Sequence, residues 1–176
     1  MIRQTLFALG ATTLIAAAGM ASAQDVSTNQ VANKTDWSVF VDGDPKECWG
    51  VSAPTETLNT RDDRIVSVRR GDILLFVVYR PGDNVKGEVA FTGGYPFAEG
   101  STVDVQIGDS SFEFTTSGEW AWPSTTADDA NVVAAMKRGR NAVLVARSSR
   151  GTRTQDTFSL LGFTAALDEA EKRCAS

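Results

Sequence analysis

The chain of 176 residues contains no histidine and only two cysteines. Without histidine, neither a Ser-His-Asp nor a Cys-His catalytic arrangement can be built. A histidine-containing zinc site is excluded as well, and two cysteines are too few for a cage of thiolate ligands. The acidic pairs Asp62-Asp63 and Asp128-Asp129 are adjacent in sequence, and adjacent side chains do not face each other on a strand or a helix. We therefore predict a protein that has no metal, no cofactor and no enzymatic activity.

Positive charge is also scarce. Lysine and arginine together number 17, against 22 aspartate and glutamate residues, which gives a formal net charge of −5. Nucleic-acid binding depends on clustered lysines and arginines that neutralise phosphates. A nucleic-acid partner is therefore not expected.

The chain has one long apolar run, and it lies near the N-terminus. Arg3 precedes the run from Leu6 to Ala18, and the small residues Ala21-Ser22-Ala23 follow it. The run is shorter than the about 20 apolar residues that a membrane-spanning helix requires. Its order of basic, apolar and small residues is that of a secretory signal peptide. We predict that residues 1–23 are a Sec signal peptide and that no transmembrane segment remains after its cleavage.

The two cysteines are far apart, at Cys48 and Cys174. In an exported protein, two cysteines most simply form one disulfide. A reactive thiol would need a basic partner, and this chain has no histidine to provide one. We predict a structural disulfide that fastens the C-terminal segment to an early strand.

The remaining sequence divides into a short polar segment and one β-rich domain. Residues 24–34 are polar and contain no aromatic residue, which predicts a flexible lead-in. From residue 35 to residue 176, short apolar stretches alternate with turn residues. This pattern predicts one domain dominated by about nine antiparallel strands, arranged as a β-sandwich or a barrel-like sheet.

Two short α-helices interrupt the strand pattern. The first is predicted to have Thr126 as its N-cap and to end at Gly139. The second is predicted to run from Ala165 to Arg173. It ends beside Cys174, so we expect the C-terminal helix to pack over the sheet near Cys48.

Two motifs suggest binding chemistry but also have simpler structural interpretations. Arg70-Gly71-Asp72 is the tripeptide that integrins recognise, yet it lies between two apolar stretches, where glycine and aspartate favour a tight turn. The segment RSSRGTR, residues 147–153, could hold a phosphate or sulfate, but it lacks the lysine and the strand-loop-helix context of a P-loop. We interpret the first as a turn and the second as the basic tip of a hairpin.

Aromatic residues in two segments are the candidate binding surface. GEWAWPS places Trp120 and Trp122 on one face of an extended segment, and GGYPFAEG presents Tyr95 and Phe97 on a glycine-flanked loop. Such side chains can anchor a partner or a sugar ring, and they can equally fill a core or cover the end of a sheet. The binding prediction rests on these four residues, and the alternative is that Tyr95 and Phe97 plug the end of the sandwich.

The order of seven sequence stretches along the chain, followed by the second cysteine, resembles the pattern of a known protein family. They are DWSVF, KECWGVSAP, VRRGDILLFVVYRP, GYPFAEGSTVDVQIG, SGEWAW, AAMKRG and RSSRGTRTQDTFSLLGFTAAL, followed by Cys174. Together they resemble the invasion-associated locus B family of exported bacterial proteins, over roughly residues 37–174. The resemblance implies a Gram-negative envelope protein, in the periplasm or on the outer cell surface. The family is linked to host-cell invasion in pathogens and also occurs in free-living bacteria. The two cysteines match its pattern, and it offers no catalytic residues to carry over.

The leading functional hypothesis is a non-enzymatic protein that binds a protein or another envelope component and, in pathogenic relatives, supports host-cell invasion. One alternative is a periplasmic accessory or stress protein with no role at a host surface. Another is a hydrolase acting on carbohydrate or cell wall, with two carboxylates brought together from distant parts of the chain. The sequence leaves the partner and the oligomeric state open.

Overall fold

The computed structural model describes residues 29–175, which form one antiparallel β-sheet and two α-helices. The twelve strands are β1 Gln30–Lys34, β2 Trp37–Gly43, β3 Lys46–Ser52, β4 Glu56–Arg61, β5 Arg64–Ile65, β6 Leu74–Arg80, β7 Val85–Thr92, β8 Thr102–Ile107, β9 Ser110–Ser117, β10 Trp120–Trp122, β11 Asn141–Arg147 and β12 Arg153–Ser159. The predicted fold class, dominated by β-strands with two helices of which the second is C-terminal, is confirmed.

The helices are α1 Thr126–Arg138 and α2 Phe163–Ala175, and a short 3₁₀-helix spans Pro81–Asp83. Thr125 is the N-cap of α1, one residue before the predicted Thr126, and its hydroxyl oxygen accepts a hydrogen bond from the backbone N–H of Asp128 at 3.2 Å. Gly139 ends α1, as predicted. Among the described residues, no helix is long and apolar enough to cross a membrane.

The strands follow the order β1-β2-β3-β6-β7-β10-β9-β8-β11-β12-β4-β5 across the sheet. Its edges are therefore β1, with five residues, and β5, with two. The two ends of the sheet approach each other. The indole nitrogen of Trp37 in β2 donates to the carbonyl of Ser159 in β12 at 3.0 Å, and the N–H of Asp36 donates to the carbonyl of Leu161 at 3.2 Å. The sheet thus curls around a single apolar core.

Helix α2 covers the inner face of the first half of the sheet. Its residues Phe163 and Ala166 are fully buried, and the ring of Phe163 meets the ring of Trp37 edge-on at 5.0 Å. Gly50 in β3 permits this close packing, because a Cβ atom there would lie 3.2 Å from Val77 and 3.5 Å from Ala166. The inner face of β2, β3 and β6 is thereby removed from water.

A glycine and an ion-pair network join α2 to the edge strand β1. Gly162 precedes the helix with a φ of +92°, and a Cβ atom there would lie 1.8 Å from the carbonyl oxygen of Lys34. Only glycine fits this approach. Further along α2, Glu169 pairs with Lys34 at 3.4 Å and with Arg173 at 2.8 Å. Hydrogen bonds from Arg173 and Lys34 hold the pKa of Glu169 below its usual value.

The two cysteines lie at disulfide distance, as predicted from their isolation in the sequence. The sulfur atoms of Cys48 in β3 and Cys174 in α2 are 2.08 Å apart, and the two Cα atoms are 5.8 Å apart. Cys48 is fully buried and Cys174 nearly so. The bond fastens the end of α2 to the third strand of the sheet.

Two predictions about the strands are wrong. The structure places residues 30–34 of the predicted lead-in in β1, which pairs with β2 through contacts such as Lys34 with Trp37. There are also twelve strands and not nine, because β1, β4 and β10 were not predicted. The strands β1 and β4 carry mainly exposed polar side chains, so they lack the apolar alternation on which the prediction relied. The predicted signal peptide and residues 24–28 lie outside the described residues.

Candidate binding surface

The outer face of the first half of the sheet is aromatic, although a sheet packed on one side usually presents polar side chains to water on the other. Successive side chains of a strand point to opposite faces of the sheet, so the strand sequence determines which side chains point outward. In β3, Cys48 and Gly50 point to the core while Trp49 points outward, and in β10 only Ala121 is buried. We define the aromatic face by its outward side chains on five strands: Phe40, Trp49, Phe76, Val78, Ala90, Trp120 and Trp122.

Strand pairing makes this face continuous. Phe40 lies opposite Trp49, and the two rings stack at 5.6 Å with an interplanar angle of 8°. Phe76 lies opposite Ala90, and its ring lies 5.6 Å from the ring of Trp120. Aromatic cross-strand pairs of this kind stabilise a sheet.

The two tryptophans of β10 remain accessible to solvent. Trp120 is 45% exposed and Trp122 is 38% exposed. They border a groove of about 340 Å³ that also includes Trp49, Phe76 and Val78. The groove therefore lies on the aromatic face and is lined from β3, β6, β7 and β10.

Charged residues form one rim of the groove. Arg80 lies between two acids: its Nε is 3.3 Å from a carboxylate oxygen of Glu47, and its Nη2 pairs with Glu88. All three side chains are about one-third exposed. The rim has two carboxylates for one guanidinium, so it is negative overall. An apolar centre with a polar rim is the usual anatomy of a protein interface.

Two of the four predicted surface residues, Trp120 and Trp122, are exposed on this face. Trp49 and Phe76 were not predicted to belong to it. The outward positions of β3 and β6 could have identified them, since Trp49 is adjacent to Cys48 and therefore points to the opposite side of the strand. The local sequence does not show that the strands β3, β6, β7 and β10 are neighbours in the sheet.

The prediction that Tyr95 and Phe97 form the binding surface is wrong for Phe97 and needs correction for Tyr95. Phe97 is buried, with its ring 6.0 Å from the ring of Phe91, and a backbone bridge pairs it with Ser148. Tyr95 is half-buried, and its hydroxyl hydrogen-bonds to the hydroxyl of Thr154 at 2.5 Å. Neither residue belongs to the aromatic face. Phe97 belongs to the apolar core, and Tyr95 packs against that core.

Tyr95 belongs instead to a network centred on a buried ion pair. Both terminal nitrogens of Arg70 donate to the carboxylate of Asp156, at 2.7 and 2.6 Å. The Arg70 side chain is 6% exposed and that of Asp156 is fully buried. The Nε of Arg70 donates to the carbonyl of Gly93 at 2.9 Å, and its guanidinium lies 4.9 Å from the centroid of the Tyr95 ring. Burial raises the pKa of both Tyr95 and Asp156, and the charge and hydrogen bonds of Arg70 oppose the rise for Asp156.

This network changes the interpretation of the Arg70-Gly71-Asp72 tripeptide. The segment does not form a tight turn between two strands. Of the predicted strand before it, only Arg64–Ile65 is a strand, and residues 66–73 form an irregular connection to β6. Gly71 donates its N–H to Gly94 at 2.9 Å. Since the guanidinium of Arg70 is buried against Asp156, the tripeptide is not presented as an integrin ligand requires.

The second buried carboxylate also has a structural partner. Asp129 in α1 accepts a hydrogen bond from the backbone N–H of Val89 at 2.8 Å, which ties the helix to β7. Burial raises the pKa of Asp129, and this hydrogen bond opposes the rise. Within residues 29–175 there is no group of three histidine, cysteine or acidic residues that could hold a metal ion.

Comparison with known proteins identifies the same family as the sequence resemblance. Residues 37–171 match the family model described as invasion associated locus B (IalB) protein. The chain is also similar to the crystal structure of invasion associated protein B from Bartonella henselae, with a TM-score of 0.56 and 18% identity, over 82% of this chain and 98% of that one. At this identity the likeness establishes a shared fold. No curated protein matches the chain.

Proposed function

The chain belongs to the invasion associated locus B family, and from that premise we propose that it is an exported envelope protein that binds a partner protein through the aromatic face. Export follows from the signal-peptide pattern of residues 1–23. The protein then resides in the periplasm or on the outer surface of a Gram-negative cell. It acts by binding and not by catalysis.

One observation supports the binding proposal above the others: two tryptophans stand side by side in solvent on an aromatic sheet face. Leaving Trp120 and Trp122 at 45% and 38% exposure costs hydrophobic free energy in the isolated protein. Contiguous exposed apolar patches of this kind mark interaction sites, and tryptophan is the residue most enriched at the energetic centres of interfaces.

The charges beside the groove indicate the chemistry of the partner. Glu47 and Glu88 share one arginine, so an approaching surface with a lysine or arginine next to its apolar centre would complement this rim. The chain as a whole is acidic, with a net charge of −5. We therefore propose a protein whose contact surface is apolar at its centre and basic at its margin.

Site-specific photocrosslinking tests this proposal in the producing cell. A photoreactive aromatic amino acid replaces Trp122 in one strain and Leu161 in the other. Leu161 is 58% exposed, apolar and outside the aromatic face, so it is a matched control. We expect a discrete covalent adduct with one protein from position 122 and none from position 161. Equal crosslinking from both positions would contradict the proposal.

Binding of the purified partner then decides the role of the tryptophans. Replacing a tryptophan at the centre of an interface by alanine typically costs about 2 kcal/mol or more, which is a loss of affinity of roughly 30-fold. We expect that loss for Trp120→Ala and Trp122→Ala and an unchanged affinity for Leu161→Ala. Unchanged affinity in both tryptophan variants would exclude the aromatic face as the contact surface.

The place of action is tested separately. N-terminal sequencing of the exported protein should begin at Gln24, and labelling of intact cells with an impermeant reagent should show which side of the outer membrane the protein occupies. A surface-exposed pool allows direct contact with a host protein in pathogenic relatives. A strictly periplasmic pool limits the partner to another envelope protein, which is the accessory role.

A hydrolase is the weaker proposal, because the two carboxylates that are buried within residues 29–175 already have structural partners. Asp156 is held by Arg70, and Asp129 is held by the backbone of Val89. Turnover of cell-wall or carbohydrate substrates by the purified protein would revive it.

A further inference from the structure

A second cleft shares no lining residue with the groove of the aromatic face, and it is lined by arginines. It has a volume of about 450 Å³, and four arginines line it, namely Arg61, Arg69, Arg70 and Arg150. Its acidic lining residue is Glu119. In a chain with a net charge of −5, this concentration of positive charge is a local exception. Positive residues gathered in a cleft raise the local concentration of anions.

The arginines come from three separate segments and differ in how firmly they are held. Arg70 is fixed by its two hydrogen bonds to Asp156 and by its contact with the Tyr95 ring. Arg61 donates to the hydroxyl of Thr152 at 2.7 Å. Arg69 and Arg150 are exposed, and within residues 29–175 neither forms an ion pair. In the part of the chain that the structure describes, three of the four positive charges are therefore not paired with a carboxylate.

Hydroxyl groups complete the lining. Ser148, Ser149 and Thr152 border the cleft from the turn between β11 and β12, and Thr154 follows in β12. The turn is ordered by its own hydrogen bonds, such as that from the N–H of Thr152 to the hydroxyl of Ser148 at 3.1 Å. Arginine guanidinium groups match the geometry of phosphate oxygens, and serine and threonine hydroxyls can donate further hydrogen bonds to them.

We propose that this cleft binds a phosphate-bearing ligand of small-molecule size. A phosphate monoester carries about −1.5 to −2 charges and three acceptor oxygens at neutral pH. It can therefore pair with several arginines at once, whereas a carboxylate ligand has one charge and two oxygens. The volume lies within the roughly 300–1,000 Å³ that is common for small-ligand sites. The site uses only part of the predicted RSSRGTR segment, since Arg147 and Arg153 do not line it. It requires none of the tryptophans of the aromatic face, so its failure and the failure of the proposed function can be separated.

Titration calorimetry with inorganic phosphate in low-salt buffer tests the proposal on the purified protein. We expect saturable binding, which the double variant Arg69→Gln/Arg150→Gln weakens by about tenfold or more, because charge-assisted hydrogen bonds are lost. Arg150→Gln should weaken binding on its own, and Arg153→Gln is its matched control, since it removes the same charge three residues away but outside the cleft. Glu119→Gln should strengthen binding, since it removes the acidic group of the lining.

The outcomes separate a specific site from general charge attraction. Binding that falls equally in Arg150→Gln and Arg153→Gln would overturn the proposal, and so would no saturable heat at millimolar phosphate. Glucose 1-phosphate and vesicles containing phosphatidic acid distinguish a soluble ester from a lipid headgroup as the source. Binding of either one that is lost in the double variant supports the site. Equal binding of acetate and phosphate would contradict the preference for a phosphate group.

Discussion

Removing the bond between Cys48 and Cys174 should destabilise the protein more than any exposed single substitution. The two residues are separated by 126 positions, so the bond closes nearly the whole described chain into one loop. In the chain-entropy model a loop of this length lowers the entropy of the unfolded state by roughly 16 cal/mol/K, or about 5 kcal/mol at 25 °C. Measured losses are often smaller, so we expect about 3–5 kcal/mol for Cys48→Ala/Cys174→Ala.

That loss is large against the total stability of a domain of this size, which is usually about 5–15 kcal/mol. Alanine is the suitable replacement, because Cys48 is fully buried and a serine would bury an unpaired hydroxyl. The free energy of unfolding is measured by urea titration, with the fluorescence of the buried Trp37 as one probe. The urea dependence should also steepen, since an unfolded chain without the cross-link exposes more surface.

Two results would refute this reasoning. One is a double variant within about 1 kcal/mol of the parent protein, which would mean that the bond does not restrict the unfolded chain as the loop length requires. The other is the titration of two free thiols in the native protein. Reduction of the parent protein with a thiol reagent is the matched control, and it should reproduce the loss seen in the double variant.

Three further predictions concern the ion pairs and one glycine. Asp156→Ala should lower the free energy of unfolding in urea by about 3–5 kcal/mol, because it leaves the guanidinium of Arg70 buried without its counter-charge. The double variant Arg70→Met/Asp156→Ala should lose less stability than the single variant. The reverse order would contradict the assignment of a buried pair. Gly162→Ala should destabilise the protein far more than Gly151→Ala. Both positions have a positive φ, but only at position 162 would a Cβ atom clash with a carbonyl oxygen. Equal melting temperatures of the two variants would argue against the close approach. Because the pKa of Glu169 is lowered in the folded protein, its carboxylate stabilises the fold above the pKa of 4.5 in the unfolded chain. This contribution is lost as the pH falls through the lower pKa of the folded protein. Glu169→Gln should therefore be less stable than the parent protein at pH 7 and equally stable in strong acid. A difference that persists at low pH would mean that the carboxylate acts by packing and not by charge.

The elements that local sequence predicts are those whose signals are confined to a few neighbouring residues. Helix α1 was predicted because Asp128 and Gly139 act on the helix ends next to them, although its N-cap is Thr125 and not the predicted Thr126. The disulfide was found because two cysteines allow one pairing. The exposure of Trp120 and Trp122 follows from alternation around the buried Ala121.

The features that sequence analysis missed depend on contacts between distant positions. Arg70 and Asp156 are separated by 86 residues, and nothing near either one indicates the other. Phe97 was predicted to be an exposed loop residue. It is buried because of a backbone bridge to Ser148 and a ring contact with Phe91, neither of which the local sequence indicates. The arginine cleft was likewise not predicted, since its four arginines come from three segments that are distant in sequence.

The unequal edges of the sheet have a consequence for behaviour at high concentration. An open edge offers unpaired amide and carbonyl groups to which a second molecule can add a strand. Here one edge, β5, is only two residues long and includes Arg64, while the other, β1, offers five mainly polar residues. Growth from one copy to the next would therefore gain few backbone hydrogen bonds at either end. The protein can thus carry an aromatic face on its sheet without also offering a long template for fibril formation.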